Sequence, residues 1–319
     1  MIEFSSSDST IWNLNQLIVD IAQSMSQKLP RIDIFTRGEG PCARSLGLYN
    51  LLDILCDRFN YSASNIYITT CNLAETHDRY RIIIKPQVVY LKAAQRYTPP
   101  SGNKQIAKHF GHFIGHGNYP RLYLGSYLHH HYPTQTVQTY HTCVTDHYHR
   151  PFIGLEDMMF YGHTWDEINN AMELLKVTPI TIDSIDQYPI INPITLNITK
   201  VYSKFFVEIV NLTYWSGDVF YIDEKIWRPI LMRTPFIVHG PKNFLSRLRA
   251  LGFQTFEPWW DEGYGEDPPD HQLKEIVHIV EHLGNKSIDK LTSMYAEMQP
   301  LLEHNFQRLM KIQKQDLHA

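Results

Sequence analysis

The apolar positions of this chain change period repeatedly, and each change marks the passage from a strand to a helix or back. Residues 10–28 set apolar side chains on one face of a helix, and Arg31-Ile-Asp-Ile-Phe-Thr36 then alternates as a strand does. Arg37-Gly-Glu-Gly-Pro41 reads as the loop that follows. A helix over 42–59 comes next, with Leu46, Leu48, Leu51, Leu52, Leu55 and Phe59 at helical spacing. Asn65-Ile-Tyr-Ile-Thr-Thr70 and Arg81-Ile-Ile-Ile-Lys85 are two further short strands between polar turns.

Arg96-Tyr-Thr-Pro-Pro-Ser-Gly-Asn-Lys-Gln105 is where Pro, Gly and polar residues accumulate without apolar rhythm, which places a domain boundary there. A second set then begins: a strand at His109–Ile114, the loop His116-Gly-Asn-Tyr-Pro120, a helix from Arg121 to about His131, and a strand at Thr136–Tyr140. Helices are expected over 164–175, 223–232 and 242–251, with strands at Phe205–Val210, Pro235–His239 and Gln254–Phe256. A last helix over about 287–315 carries Leu291, Met294, Met298, Leu302, Phe306 and Leu309 on one face, and Pro300 predicts a kink in it. Strands alternating with helices in both halves predict an α/β protein with two Rossmann-like parallel sheets facing a cleft. The predicted domains are 1–100, 106–290 and a C-terminal helix at 291–319.

Composition narrows the class. At 319 residues and 43% hydrophobic content the chain can bury one large or two medium cores, two α/β domains being the commoner division at this length. Its first twenty residues carry Asp8 and Asp20 among scattered polar positions, so neither a secretory signal nor a membrane span is expected, and the predicted location is the cytoplasm. Cys42, Cys56, Cys71 and Cys143 stand far apart without a CxxC pair, which argues for reduced thiols rather than a zinc or disulfide framework. A net charge of -4 supplies no overall field for a polyanion. Nineteen Tyr and six Trp suit the stacking of sugars and bases, or equally a Tyr-rich core.

The most informative stretch runs from Tyr221 to Pro241. Glu224 and Lys225 stand at the start of a helix that leads into an apolar strand ending in His239-Gly-Pro241. The free N–H groups of a helix start, with the Lys225 charge beside them, suit a diphosphate, and Glu224 can accept hydrogen bonds from a ribose diol. The same pair also fits a plain helix-start acid beside a solvated lysine.

This segment resembles the donor-binding signature of the α-1,3-fucosyltransferase family, in which Tyr-hydrophobic-Thr-Glu-Lys opens a helix and the next strand, Val-Pro-Val, ends in Gly-Pro. Asp223 replaces the Thr here, and Gly240 takes the place of the terminal Gly. The segment is also similar to the C-terminal part of glycosyltransferases of tailed phages and large viruses, where Glu-Lys precedes Lys-Pro-Ile and Pro-Phe-Ile-Val. Arg228-Pro229-Ile230 and Pro235-Phe-Ile-Val238 fit that pattern, and Leu248–Phe253, Trp260–Tyr264 and His304-Asn305 extend it. A second match lies upstream: the family opens its donor domain with a strand, a Ser-Asn loop and an arginine facing the phosphates. Phe113-Ile-Gly-His-Gly-Asn-Tyr-Pro-Arg121 has the strand, Asn118 and Arg121 in that order, with His116-Gly in place of the Ser.

The resemblance implies a GT-B glycosyltransferase with donor contacts at Asn118, Arg121, Tyr221, Glu224, Lys225 and Gly240. It implies a nucleoside-diphosphate-sugar co-substrate, a glycan or other hydroxyl acceptor, and no cofactor. No Asp-x-Asp pair follows a strand, so metal-independent chemistry is expected. The general base of an inverting enzyme should come from the N-terminal domain, where Glu39 and Glu75 qualify, each of which also fits an ordinary surface acid. Glu39 is preferred because its flanking glycines allow close approach. Histidines 109, 112, 116, 129–131, 141, 147 and 149, with Cys143 and Asp146, raise a metal site as a lesser possibility. Two other readings stay open. A phage-type DNA sugar transferase would use Arg31, Arg37, Arg44, Arg58, Arg79, Arg81 and Lys85 on its N-terminal domain; a non-catalytic sugar-binding module would not need the cationic clamp.

Overall fold

Two four-stranded parallel sheets carry the chain, which the computed structural model describes over residues 1–6, 11–36, 40–97, 104–115, 117–141, 154–182 and 200–318. The first sheet contains β1 (Ile2–Phe4), β2 (Ile32–Thr36), β3 (Ile66–Thr70) and β4 (Arg81–Ile84), side by side in chain order. Ile2 pairs with Ile34, Ile32 with Ile66, and Ile68 with Ile82, so period two brings one isoleucine-rich face together across the sheet. That face is buried against Leu17, Ile21 and Met25 of α1 (Leu14–Ser26) and Leu52 and Leu55 of α2 (Leu48–Phe59). Helix α2 starts six residues later than the apolar spacing predicts, because Gly47 takes a left-handed φ of 75° and ends a run of turns.

Helix α3 (Val89–Arg96) is absent from the predicted elements, and it belongs to the second core, where Leu91 and Ala94 are buried. The second sheet is built from β5 (Lys108–Ile114), β6 (Thr136–Tyr140), β7 (Phe205–Asn211) and β8 (Phe236–His239), in the order β6-β5-β7-β8. Every residue of the central strand β7 and of the edge strand β8 is buried, as expected of parallel strands covered on both faces. The covering helices include α4 (Tyr119–His131), α5 (Leu155–Phe160), α6 (Trp165–Lys176), α7 (Glu224–Leu231) and α8 (Phe244–Ala250).

Two helices close the chain. Helix α9 (Pro269–Gly284), like β1, α3 and α5, is an element the sequence pattern misses, and α10 (Ile288–Lys311) runs unbroken past Pro300, burying Leu291, Met294, Met298, Leu302, Phe306 and Leu309. The predicted strand at Gln254–Phe256 does not form. Its backbone is instead satisfied by side chains: Asn305 accepts from Gln254 N–H at 2.8 Å and donates to its carbonyl at 2.8 Å, and Glu262 accepts from Phe256 N–H at 2.9 Å. Among the described residues no helix is long and apolar enough to cross a membrane.

Candidate functional site

The second sheet changes direction at β5: the chain moves from β5 outward to β6, then returns to the other side of β5 for β7 and β8. Such a reversal opens a crevice outside the carboxyl ends of the two flanking strands, β5 and β7. Past the end of β5, Asn118 adopts an extended backbone and caps α4, its Oδ1 accepting from Arg121 N–H at 3.1 Å. The Arg121 guanidinium, 7% exposed, lies inward across the crevice and donates from Nη2 to the carbonyl of Asn211 at the end of β7, 3.4 Å away. A neutral cap and a cation therefore meet where anionic ligands bind in this class of sheet.

Beyond Asn211 the chain forms a small recess lined by Leu212, Thr213 and Tyr214 together with Tyr221, Asp223 and Pro241. Gly240 lets the end of β8 close on that of β7, since a Cβ there would stand 2.6 Å from Leu212 Cδ1. Helix α7 begins at this recess. Asp223 is its cap and accepts from Lys225 N–H at 2.9 Å, and the Lys225 ammonium is clasped by Asp223 Oδ2 at 2.6 Å and Glu224 Oε1 at 2.9 Å. Burial pushes the Glu224 carboxyl up, but the Lys225 charge and hydrogen bond outweigh it and hold the group below the usual carboxylate range. Its second oxygen, Oε2, is buried and has no hydrogen-bond partner among the described residues.

Two distant stretches of sequence thus converge on the end of β7. Comparison with protein-family models, curated proteins and solved structures finds no match. The convergence therefore rests on the geometry of this chain alone. Arg228, although part of the same sequence pattern, takes no part in the recess: it is buried behind it, with Nη2 2.5 Å from Glu208 of β7.

The N-terminal domain meets this recess with the carboxyl edge of its own sheet. After β3, Asn72 is fully buried and reaches into the second domain: Nδ2 donates to the Asp218 carbonyl at 2.9 Å, Oδ1 accepts from Phe220 N–H at 2.8 Å, and Leu73 N–H donates to the Phe220 carbonyl at 2.9 Å. Gly217, at φ 73°, fits against Cys42 and Ser45, where a Cβ would come within 2.9 Å of both. The segment that leads to Tyr221 is tied to the first domain by these contacts, and Tyr221 itself donates to Gln87 at 3.0 Å.

Glu75 is not the surface acid its sequence context allows. It is 6% exposed, and it accepts from Tyr49 O–H at 2.6 Å, Ala43 N–H at 3.2 Å and Asn72 Nδ2 at 3.2 Å. Burial raises its carboxyl above the ordinary range, with these three donors pulling the other way. Asn72 thereby joins the acid of the first domain to the loop of the second, a link that the predicted elements did not contain. Glu39 lies outside the described residues. So do His116 and, among the histidine-rich candidates for a metal, Cys143, Asp146, His147 and His149; among the described residues no three His, Cys, Asp or Glu side chains gather as a metal centre needs.

Proposed function

We propose that the protein is a glycosyltransferase of GT-B type that moves a sugar from a nucleoside-diphosphate-sugar to a hydroxyl acceptor, a glycan in the first instance, in the cytoplasm. The observation that carries this reading is the meeting of Asn118 and Arg121 with Tyr221, Glu224, Lys225 and Gly240 around the end of β7, opposite the carboxyl edge of a second parallel sheet. The geometry supports a division of labour within the donor. Arg121, at a helix start with a neutral cap, serves the diphosphate. At α7 two carboxylates surround one ammonium, so an added anion there meets net negative charge, while hydroxyl groups find both an acceptor in Glu224 Oε2 and a donor in Lys225.

Nucleoside diphosphates test this directly. UDP, GDP, dTDP and CDP are screened by thermal shift, where a ligand at 100 times its Kd stabilises by about 2.7 kcal/mol. Arg121→Ala is expected to weaken the one that binds by about 1.5–3 kcal/mol, the range for charge-assisted hydrogen bonds, with a smaller loss for Lys225→Ala. Calorimetry showing unchanged affinity in both variants overturns the proposal. Turnover is also expected to survive excess EDTA, because the diphosphate is stabilised by side-chain and backbone donors; loss on chelation restored by manganese or zinc overturns that assignment.

A further inference from the structure

Beneath the crevice runs a chain of buried side chains whose hydrogen-bond directions can be read from one end to the other. It begins at the carbonyl of Gly125 in α4, which can only accept. Gln138 of β6 approaches it with Nε2 at 2.9 Å, so this end of the Gln138 side chain is the amide nitrogen. The same Nε2 lies 3.4 Å from His112 Nδ1, which therefore accepts, leaving the ring hydrogen on Nε2. His112 is fully buried, and burial together with the nearby Arg121 charge drives its pKa down to about 4, so the ring is neutral and has one donor only. That donor points at Asn211 Oδ1, 2.8 Å away. The Asn211 carbonyl oxygen is thus turned toward His112 and its Nδ2 away from it. Nδ2 is buried and has no partner among the described residues, an arrangement that is costly for an amide.

The space for this relay is prepared at a position where a helix ordinarily avoids glycine. Gly125 stands in the interior of α4, and a Cβ there would approach Gln138 Nε2 to 3.2 Å and His112 Cε1 to 3.4 Å. The relay ends at the crevice between β5 and β7, where the Asn211 main-chain carbonyl receives the Arg121 guanidinium. A buried amide with two N–H groups and no acceptor among the described residues, beside a cation and a capped helix start, is suited to an anionic oxygen.

We propose that Asn211 is a binding residue that donates from Nδ2 to a phosphoryl oxygen of the nucleoside diphosphate, with His112 and Gln138 as the positioning residues that aim it. The inference rests on the nucleotide-sugar reading of this crevice and adds to it a donor 90 residues away from Arg121 in sequence. Asn211→Asp keeps the acceptor for His112 and removes the donor, so it is expected to weaken diphosphate binding on the order of 10- to 100-fold while leaving the melting temperature of the unliganded protein within a few degrees. His112→Gln, which still offers an N–H, is expected to retain most of the affinity that His112→Phe loses.

The deciding measurement is the side-chain amide signal of Asn211 in protein labelled with 15N-asparagine, assigned through its proximity to the His112 ring. It is expected to shift when the diphosphate found by the screen is added, and to stay in place with the corresponding nucleoside. This reading of the wild-type signal decides alone if the variants do not fold. A signal that stays in place while the diphosphate binds and Arg121→Ala weakens it overturns the role of Asn211 and leaves the proposed function standing. Absence of binding by all four diphosphates overturns both.

Discussion

Glu208→Ala is expected to lower the stability of the protein by about 3–5 kcal/mol, seen as a lower urea midpoint at an unchanged slope. Glu208 is 1% exposed on β7, and it takes Arg228 Nη2 at 2.5 Å on one oxygen and Tyr202 O–H at 2.5 Å on the other, while Arg228 Nε also donates to Tyr202. Removing the acid strands a guanidinium that cannot lose its proton in the folded core. Removing the base is less severe, because the acid has an escape: burial already raises the Glu208 carboxyl above its ordinary value even with Arg228 pulling it down. In Arg228→Met it rises further, with Lys104 the nearby cation that still favours its ionised form.

The pH dependence follows from that direction. A carboxyl raised in the folded state binds protons more tightly there than in the unfolded chain. Stability is then greater at low pH and falls as pH rises from the ordinary carboxylate value, about 4.3, to the raised one. Arg228→Met is therefore expected to be closer to wild type at pH 5 than at pH 8. Glu208→Ala, which has no such group, is expected to show no growth of its deficit from pH 5 to pH 8, since the raised wild-type carboxyl loses part of its own contribution as pH rises. Urea titrations of the two variants at the two pH values check this, and equal deficits for Arg228→Met at pH 5 and pH 8 contradict it.

Glu39→Gln is expected to lower turnover by about 10²–10⁴-fold with donor affinity unchanged, the range for loss of a general base. The reaction is followed with the sugar donor of whichever nucleotide binds, so that turnover and affinity are measured on one pair. Glu75 is the comparison, and its environment makes its variant informative in a second way. Its carboxylate already accepts from three donors. In Glu75→Gln an NH2 must face one of them, so a lower melting temperature is expected along with a smaller loss of turnover than for Glu39→Gln. A reversed order of losses moves the proton acceptor to Glu75; losses under about tenfold in both place it elsewhere in the cleft.

Local sequence was enough for the elements whose apolar residues recur over several turns or fill a whole strand. Helix α2 with Leu48, Leu52 and Leu55, the fully buried β7 and β8, and α10 with its apolar face are all of this kind. Their period is set by neighbours in the chain, and two parallel sheets follow from their alternation. Glu224 and Lys225 were legible at a helix start from the residues beside them; Asn118, Arg121, Tyr221 and Gly240 were joined to them as a candidate set by the family resemblance of the two segments.

Elements and contacts that depend on a partner distant in sequence were not legible. Strand β1 has three residues and is a strand only through its pairing with β2, and α3 buries just Leu91 and Ala94, too few to declare a period. Residues 254–256 look like a strand but lie beside Asn305 and Glu262, which satisfy their backbone before any strand can. Whether Glu75 is exposed, and which way the Asn72 and Asn211 amides turn, depends on groups up to 148 residues away. Burial and hydrogen-bond direction belong to the assembled neighbourhood, whereas the repeating strands and helices follow from the periods of neighbouring residues. The reversal of strand order at β5, the joining of the two domains through Asn72 and the orientation of the polar groups beneath the crevice come from contacts between residues far apart in the chain, which no local period encodes.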